Sequence, residues 1–306
     1  MNKKYIFIEH YQDENNRQAT RYIYEMPEEE FANIAPANDK VFEIYRLEEL
    51  FAILADNLFS FNNVITSYSD KARVQSMFWG NYFQQRIDVN RAALNFFATL
   101  NLYQDFLENN MGDVFGKDFW ENNVEFQRCI VMRNYIQHIE FFPIISKVSY
   151  TRCDLNVSLA SVRFQMDAHK LKVDRLCKGT RKKFHTFFSP DEKIDLYEII
   201  NRGMGKIQLI QKQIREMPLY TIEYKTSKDF LLEIEKKIKR KKTCLMNSHI
   251  YIEADGDSRN LQCCTIATDT IQFIDNNIER YSCQYSSANH FITTAPQEFV
   301  KKCSLR

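Results

Sequence analysis

Apolar residues at steps of three and four dominate the middle of this chain. Ile44, Leu47, Phe51, Leu54, Leu58 and Phe61 form one such row. Steps of this size keep side chains on one face of an α-helix, so the row predicts a helix over residues 41–65. Met77, Phe83, Ile87, Leu94, Phe97, Leu100 and Phe106 predict a longer helix over 72–109. A third helix is expected from Asp118, as its cap, to Phe142, where Pro143 stops its continuation. Cys129, Met132, Ile136 and Ile139 make one apolar row on it, and Val124, Val131 and Tyr135 make another. A helix with two apolar faces is packed on more than one side. Ser189-Pro190-Asp191-Glu192 reads as a capping box with proline at the first helical position. Leu196, Ile200, Ile207, Ile210 and Ile214 carry that fourth helix to Pro218.

Elsewhere the period is two. Residues 4–11 and 20–24 read as strands around a polar turn at 13–16, and 36–39 as a junction. Residues 147–151 and 157–165 also alternate and predict a β-hairpin inserted at about 144–170, suited to a lid or a dimer contact. After Pro218 come a charged helix at 227–242, strands at 249–253 and 263–267, and a turn at 255–257. The fold class expected is mainly α. Residues 1–40 form an N-terminal β-hairpin arm, 41–220 a four-helix body with the β insertion, and 221–306 a small α+β region.

Composition sharpens this in three places. Only 7 Gly and 6 Pro occur in 306 residues, which favours long helices over a loop-rich β fold. The 24 Phe and 16 Tyr point to a core of large side chains. The net charge of +1 excludes a global basic field of the kind nucleic-acid binders often carry. Cations are instead local: Lys170, Lys172, Arg175, Lys178, Arg181, Lys182 and Lys183 form one run, and Lys236, Lys237, Lys239, Arg240, Lys241 and Lys242 another. Each run suits a solvated helix face or a surface that tracks phosphates.

The 8 cysteines include no C-x-x-C pair, and the Cys263-Cys264 doublet has no metal-ligand spacing around it. Asp255-Gly256-Asp257 lacks the spaced ligands of a calcium loop. No metal or other cofactor is expected. The first ten residues lack the apolar run of a signal peptide, and no stretch approaches the roughly 20 apolar residues of a membrane span. The expected setting is a reducing cytoplasm with free thiols.

The candidate chemistry lies in Arg133-Asn134-Tyr135-Ile136-Gln137-His138. Asn134 and His138 are four apart and share a helix face, and the long Arg133 side chain flanks it. A permanent cation, an imidazole titrating near neutrality and an amide able to orient it are a minimal set for cleaving a phosphodiester. Arg163 and His169, six apart, also fall within an Arg-x4–6-His pattern, but Arg163 sits in the alternating stretch 157–165, so this second match is read as a decoy.

Residues 133–138 resemble the Arg-polar-x3-His signature of the HEPN superfamily, four-helix bundles rich in metal-independent RNases. Residues 90–108, NRAALNFFATLNLYQDFLE, are similar to the long second helix of that family, and the extension RNYIQHIEFFPI to members linked with phage defence. The resemblance covers about half of the chain, residues 41–142 and a later helix. It implies an HEPN-like bundle and an endoribonuclease leaving 2′,3′-cyclic phosphate ends, a toxin or antiphage effector. Arg133 would bind the phosphate, His138 would act as acid or base, and Asn134 would orient the imidazole or contact RNA. Asn95 and Asp105 match recurrent polar positions and would support His138. One histidine does not easily make both proton transfers, so a homodimer or a pseudo-dimer with two facing motifs is implied, under an antitoxin or a phage-derived trigger. Some relatives carry a tyrosine two residues after the histidine, where a partner modifies them; Glu140 stands there and argues against a nucleotide-transferring antitoxin. Of the two basic runs, Lys178, Arg181, Lys182 and Lys183 are expected to bind RNA more than Lys239, Arg240 and Lys241, because the chain must return to the bundle just after them. The alternative is a non-catalytic helical module that binds a protein partner.

Overall fold

The computed structural model describes residues 4–12, 18–74, 82–154, 157–239, 248–253 and 266–285. The protein is mainly helical. Helix α1 spans Glu28–Val74, α2 Tyr82–Asn110, α3 Gly112–Phe115, α4 Lys117–Glu121, α5 Val124–His138, α6 Lys178–Phe187, α7 Leu196–Glu216, α8 Lys225–Lys239 and α9 Thr268–Tyr285. The strands are β1 Lys4–Gln12, β2 Gln18–Met26, β3 Ile145–Asp154, β4 Val157–Asp167, β5 Lys193–Asp195 and β6 Ser248–Glu253. They form two antiparallel three-stranded sheets, in the orders β2-β1-β6 and β3-β4-β5. No helix among the described residues is long and apolar enough to cross a membrane.

The chain divides into two compact units, Met1–Glu48 with Gln213–Glu279, and Glu49–Lys212 with Arg280–Arg306. The first unit holds the N-terminal sheet, to which β6 from the tail adds an edge strand. Its described helices are tied by buried charge. Arg215 donates to both carboxylate oxygens of Glu48, at 2.8 and 2.6 Å, and the Tyr220 hydroxyl donates to the same carboxylate at 2.8 Å. Glu48 is fully buried. Tyr224 and Lys228 converge on Asp275 of α9, and Lys237 reaches Glu30.

The second unit carries the candidate motif. Its α1, α2, α5 and α7 share a core of large side chains including Phe51, Phe61, Phe96, Phe97, Tyr103, Phe126 and Tyr135. Phe51 meets Tyr103, Asn57 donates to Thr99, and Tyr68 donates to Asp88, an order that runs α1 and α2 antiparallel. Buried Tyr103 donates to Gln211 of α7 at 2.7 Å. A Cβ on Gly203 would lie 2.4 Å from Cys129 Sγ, so only glycine lets α7 approach α5 this closely. The second sheet docks on α1, where Ser69 Oγ accepts from the Val162 amide at 3.1 Å.

Several boundaries differ from the sequence reading. The expected junction at 36–39 is helical. Pro36 lies inside α1, whose buried row extends back through Ile34 and Ala37 and whose first turn is acidic. The third helix is broken into α3, α4 and α5. Gly116 is extended, and Asn123 caps α5 by accepting from the Phe126 amide at 3.1 Å, so the cap is Asn123 and not Asp118. Helix α5 stops at His138, four residues before Phe142. The fourth helix begins at Leu196. Glu192 does accept from the Ser189 amide as a capping box requires, but the next three residues pair with β4, and Asp195 caps the helix instead. Residues 75–81 of the second expected helix, the turn at 255–257, the Cys263-Cys264 doublet and Arg240, Lys241 and Lys242 lie outside the described residues.

Removing Arg215 leaves a buried carboxylate with less of its partner set. Arg215→Ala should therefore lower unfolding free energy by about 3 kcal/mol or more. Urea denaturation checks this; a loss below about 1 kcal/mol contradicts the buried pair.

Candidate functional site

Helix α5 reaches the motif with its apolar rows already committed: Cys129, Met132 and Tyr135 are fully buried and Ile136 nearly so. The polar residues between them divide in two. Arg133 and Asn134 are half-buried, while His138, the last residue of the helix, is exposed. Among the described residues His138 has no hydrogen-bond or ion-pair partner.

Arg133 is held by two groups, Asp105 and Asn134. Burial lowers its pKa, and the Asp105 carboxylate on α2 acts in the opposite sense. Asn101 donates to that carboxylate at 2.6 Å. Arg133 Nη1 donates to Asn134 Oδ1 at 3.4 Å, a long contact, and Nε is buried without a hydrogen-bond partner. Asn134 does not touch His138. Its Nδ2 donates instead to Thr180 Oγ1 on α6 at 3.3 Å. Thr180 in turn lies 3.1 Å from Cys177 Sγ.

Helix α6 is built for this docking. Leu176, Thr180, Phe184 and Phe188 recur every four residues and all are buried. The face packs antiparallel to α5: Thr180 meets Asn134, and Phe188 lies under the Arg128 guanidinium, 4.6 Å from its ring centre. Lys178 and Lys182 point to solvent. Arg181 is half-buried and donates to the Leu176 carbonyl at 3.4 Å. Lys183 lies toward the other end of α5, 3.9 Å from Glu121.

The chain leaving α5 is clamped. Asn90 of α2, fully buried, accepts from the Phe142 amide at 2.8 Å and donates to its carbonyl at 3.3 Å. Arg86 donates to the Phe141 and Phe142 carbonyls. Tyr135, read from the sequence as a core residue, is buried with its hydroxyl donating to Glu140 and accepting from the Lys172 amide. Burial of the phenol, with the Glu140 carboxylate adding to it and the Lys172 amide opposing it, pushes its pKa up to about 12. Lys172 also pairs with Glu140.

The structure thus gathers Arg133, Asn134 and Asp105, brings Thr180 of α6 to Asn134, and sets His138 at the exposed end of the motif helix. Asn95 stands apart. It is exposed on α2, and its carbonyl accepts from Thr99 and Asn57. Arg163 of the second match pairs with Asp195 at 3.4 Å. Thr180, Cys177 and Asn90 were not singled out from the sequence. The four-residue apolar row within the basic run was the available signal for Thr180. No group of three or more metal-ligating side chains occurs among the described residues. Two clefts are lined by residues outside the motif, one by Arg215, Tyr220, Tyr224 and Asp275, the other by Arg128, Glu192, Asp195 and Arg202. Comparison with protein-family models, curated proteins and solved structures returned no match.

The two described thiols differ in chemistry. Cys129 is fully buried, and desolvation drives its pKa far up. Cys177 is exposed, and hydrogen bonds from the Thr180 side chain and amide hold its pKa below the ordinary value. A lower pKa means more thiolate at neutrality, so iodoacetamide should label Cys177 at least about tenfold faster than Cys129 in the folded protein. Peptide mass spectrometry over a time course reads this, and equal rates contradict the placement of both thiols.

Proposed function

We propose that this protein is a metal-independent endoribonuclease of HEPN type, acting as a toxin or antiphage effector. The observation that carries the reading is the pairing on one helix of an anchored Arg133 with an exposed, unpartnered His138, flanked by the solvent-facing lysines of α6. Among the described residues the exposed His138 side chain has no protein partner, which leaves the ring open to a substrate. The mainly helical packing of α1, α2, α5 and α7 in the second unit supports the reading.

In the reaction the RNA 2′-oxygen attacks phosphorus and the bond to the 5′-oxygen breaks. Neutral His138 takes the 2′-hydroxyl proton. Arg133, which cannot lose its own proton, stabilises the charged phosphorane through a forked pair of N–H donors. The leaving 5′-oxygen needs a proton from a second acid. The imidazolium of another copy meets that need in a homodimer with facing motifs. The products carry 2′,3′-cyclic phosphate and 5′-hydroxyl ends.

A second reading, a helical module that binds a protein partner, draws on Asn134 being engaged by Thr180 and not by His138. Expression in cells separates the two. The nuclease reading expects wild type to be more harmful than His138→Ala once triggered, and the module reading expects them alike.

Purified protein should cut RNA in excess EDTA, and Arg133→Ala and His138→Ala should each slow cutting by at least about 100-fold. Full activity in both variants ends this reading. RNA binding in the His138→Ala background should also depend on salt through α6. Losing Lys178 or Lys182 should lower the slope of log affinity against log salt by about 0.7 per single-strand phosphate contact. Losing Lys183, held toward Glu121, should lower it less. Affinity titrations over a salt series measure this, and the reverse order contradicts the assigned surface.

A further inference from the structure

We infer that Thr180 is a positioning residue for the motif: its hydroxyl holds the Asn134 carboxamide from α6 in the orientation that turns Oδ1 to Arg133. The inference rests on the reading of Arg133 and His138 as a phosphodiester-cleaving site.

A carboxamide can sit either way round, offering an acceptor at one end and two donors at the other. The guanidinium only donates. Asn134 is therefore useful to Arg133 in one orientation, with Oδ1 toward Nη1, as found at 3.4 Å. That orientation leaves Nδ2 needing an acceptor, which Thr180 Oγ1 supplies from α6 at 3.3 Å. The Thr180 proton is then free to point at Cys177 Sγ, 3.1 Å away. All donors run one way, from Arg133 through Asn134 and Thr180 to Cys177.

Without the hydroxyl, Nδ2 loses its acceptor in a half-buried place, and the amide is no longer held from α6 against Arg133. Arg133 Nε already lacks a partner, so the guanidinium would be held by the Asp105 charge alone. A phosphate clamp that swivels loses transition-state stabilisation more than ground-state binding.

The test uses the full chain. Thr180→Val removes the hydroxyl at nearly constant volume, and Thr180→Ser keeps it. On RNA, Thr180→Val should lower kcat about tenfold with KM within about twofold, and Thr180→Ser should stay within about threefold of wild type. In the Asn134→Ala background the same Val substitution should cost less than about twofold more, because both act through one contact. Two variants at wild-type rate, two equally slow variants, or full additivity with Asn134→Ala would overturn the inference. Should Thr180→Val fail to fold, Thr180→Ala takes its place against Thr180→Ser.

A wild-type protein that leaves RNA whole removes the cleavage reading instead. The hydroxyl is then judged on Asn134 directly. In asparagine-labelled protein, the Asn134 side-chain amide protons should exchange with solvent at least about tenfold faster in Thr180→Val than in Thr180→Ser. Equal exchange overturns the positioning role.

Discussion

A guanidinium keeps its proton under any condition in which this protein folds, so Arg133 must be satisfied as a cation where it stands. It stands half-buried on a helix whose other faces are committed to the core. That constraint organises the surroundings. Asp105 supplies the opposing charge from α2, Asn134 supplies an acceptor from the next position, and α6 must dock for Asn134 to be held. A charge of this kind left alone in a packed layer would be costly. The three helices are thereby coupled at one point, and the basic run of α6 is brought along the motif helix as a consequence.

The histidine is placed by a different rule. Helix α5 ends at His138, and Asn90 and Arg86 pin the backbone that follows through its own amide and carbonyls. Tyr135, Glu140 and Lys172 close the other side of that exit. The imidazole is exposed at the end of a clamped segment, fixed at its backbone and open at its ring. Neither Arg133 nor His138 lines the two clefts described, which is in keeping with the proposed polymer substrate. In the proposed function Arg133 would receive the phosphate, and with a net charge of +1 the attraction for RNA would be local, supplied by the exposed Lys178 and Lys182 of α6.

Much of the helical core was legible because burial and period coincide. The row from Ile44 to Phe61 is buried as its spacing implies, and so are Cys129, Met132, Ile136, Val131 and Tyr135 on α5, while Val124 of the same rows is exposed. Period two located both hairpins and, at 249–253, the strand β6, but not β5 and not the partner of β6. β5 lies in three residues beside a capping-box sequence, and β6 joins β1 across most of the chain, a pairing that no local pattern encodes. The breaks before α5 depended on Gly116 and Asn123, residues equally at home in a continuous reading. In the site, Asp105 was expected to support His138, and its charge acts on Arg133 instead. The role of Asn134 was not legible, since an amide's partner depends on which helix lies opposite. Thr180 was hidden by its charged neighbours, which drew attention to the run's solvent face and away from its buried one.

If Arg133 and His138 receive the same phosphodiester, both should sense one bound RNA. The measurement is NMR of the Arg133 guanidinium and the His138 imidazole during titration with a short RNA whose 2′-oxygens are methylated, so that it binds without being cut. Both signals should shift together along one saturation curve, and Asn134→Ala should weaken the Arg133 response more than that of His138. RNA that saturates the protein while both signals stay still, or that moves His138 and leaves Arg133 unchanged, would show that the phosphate is held elsewhere.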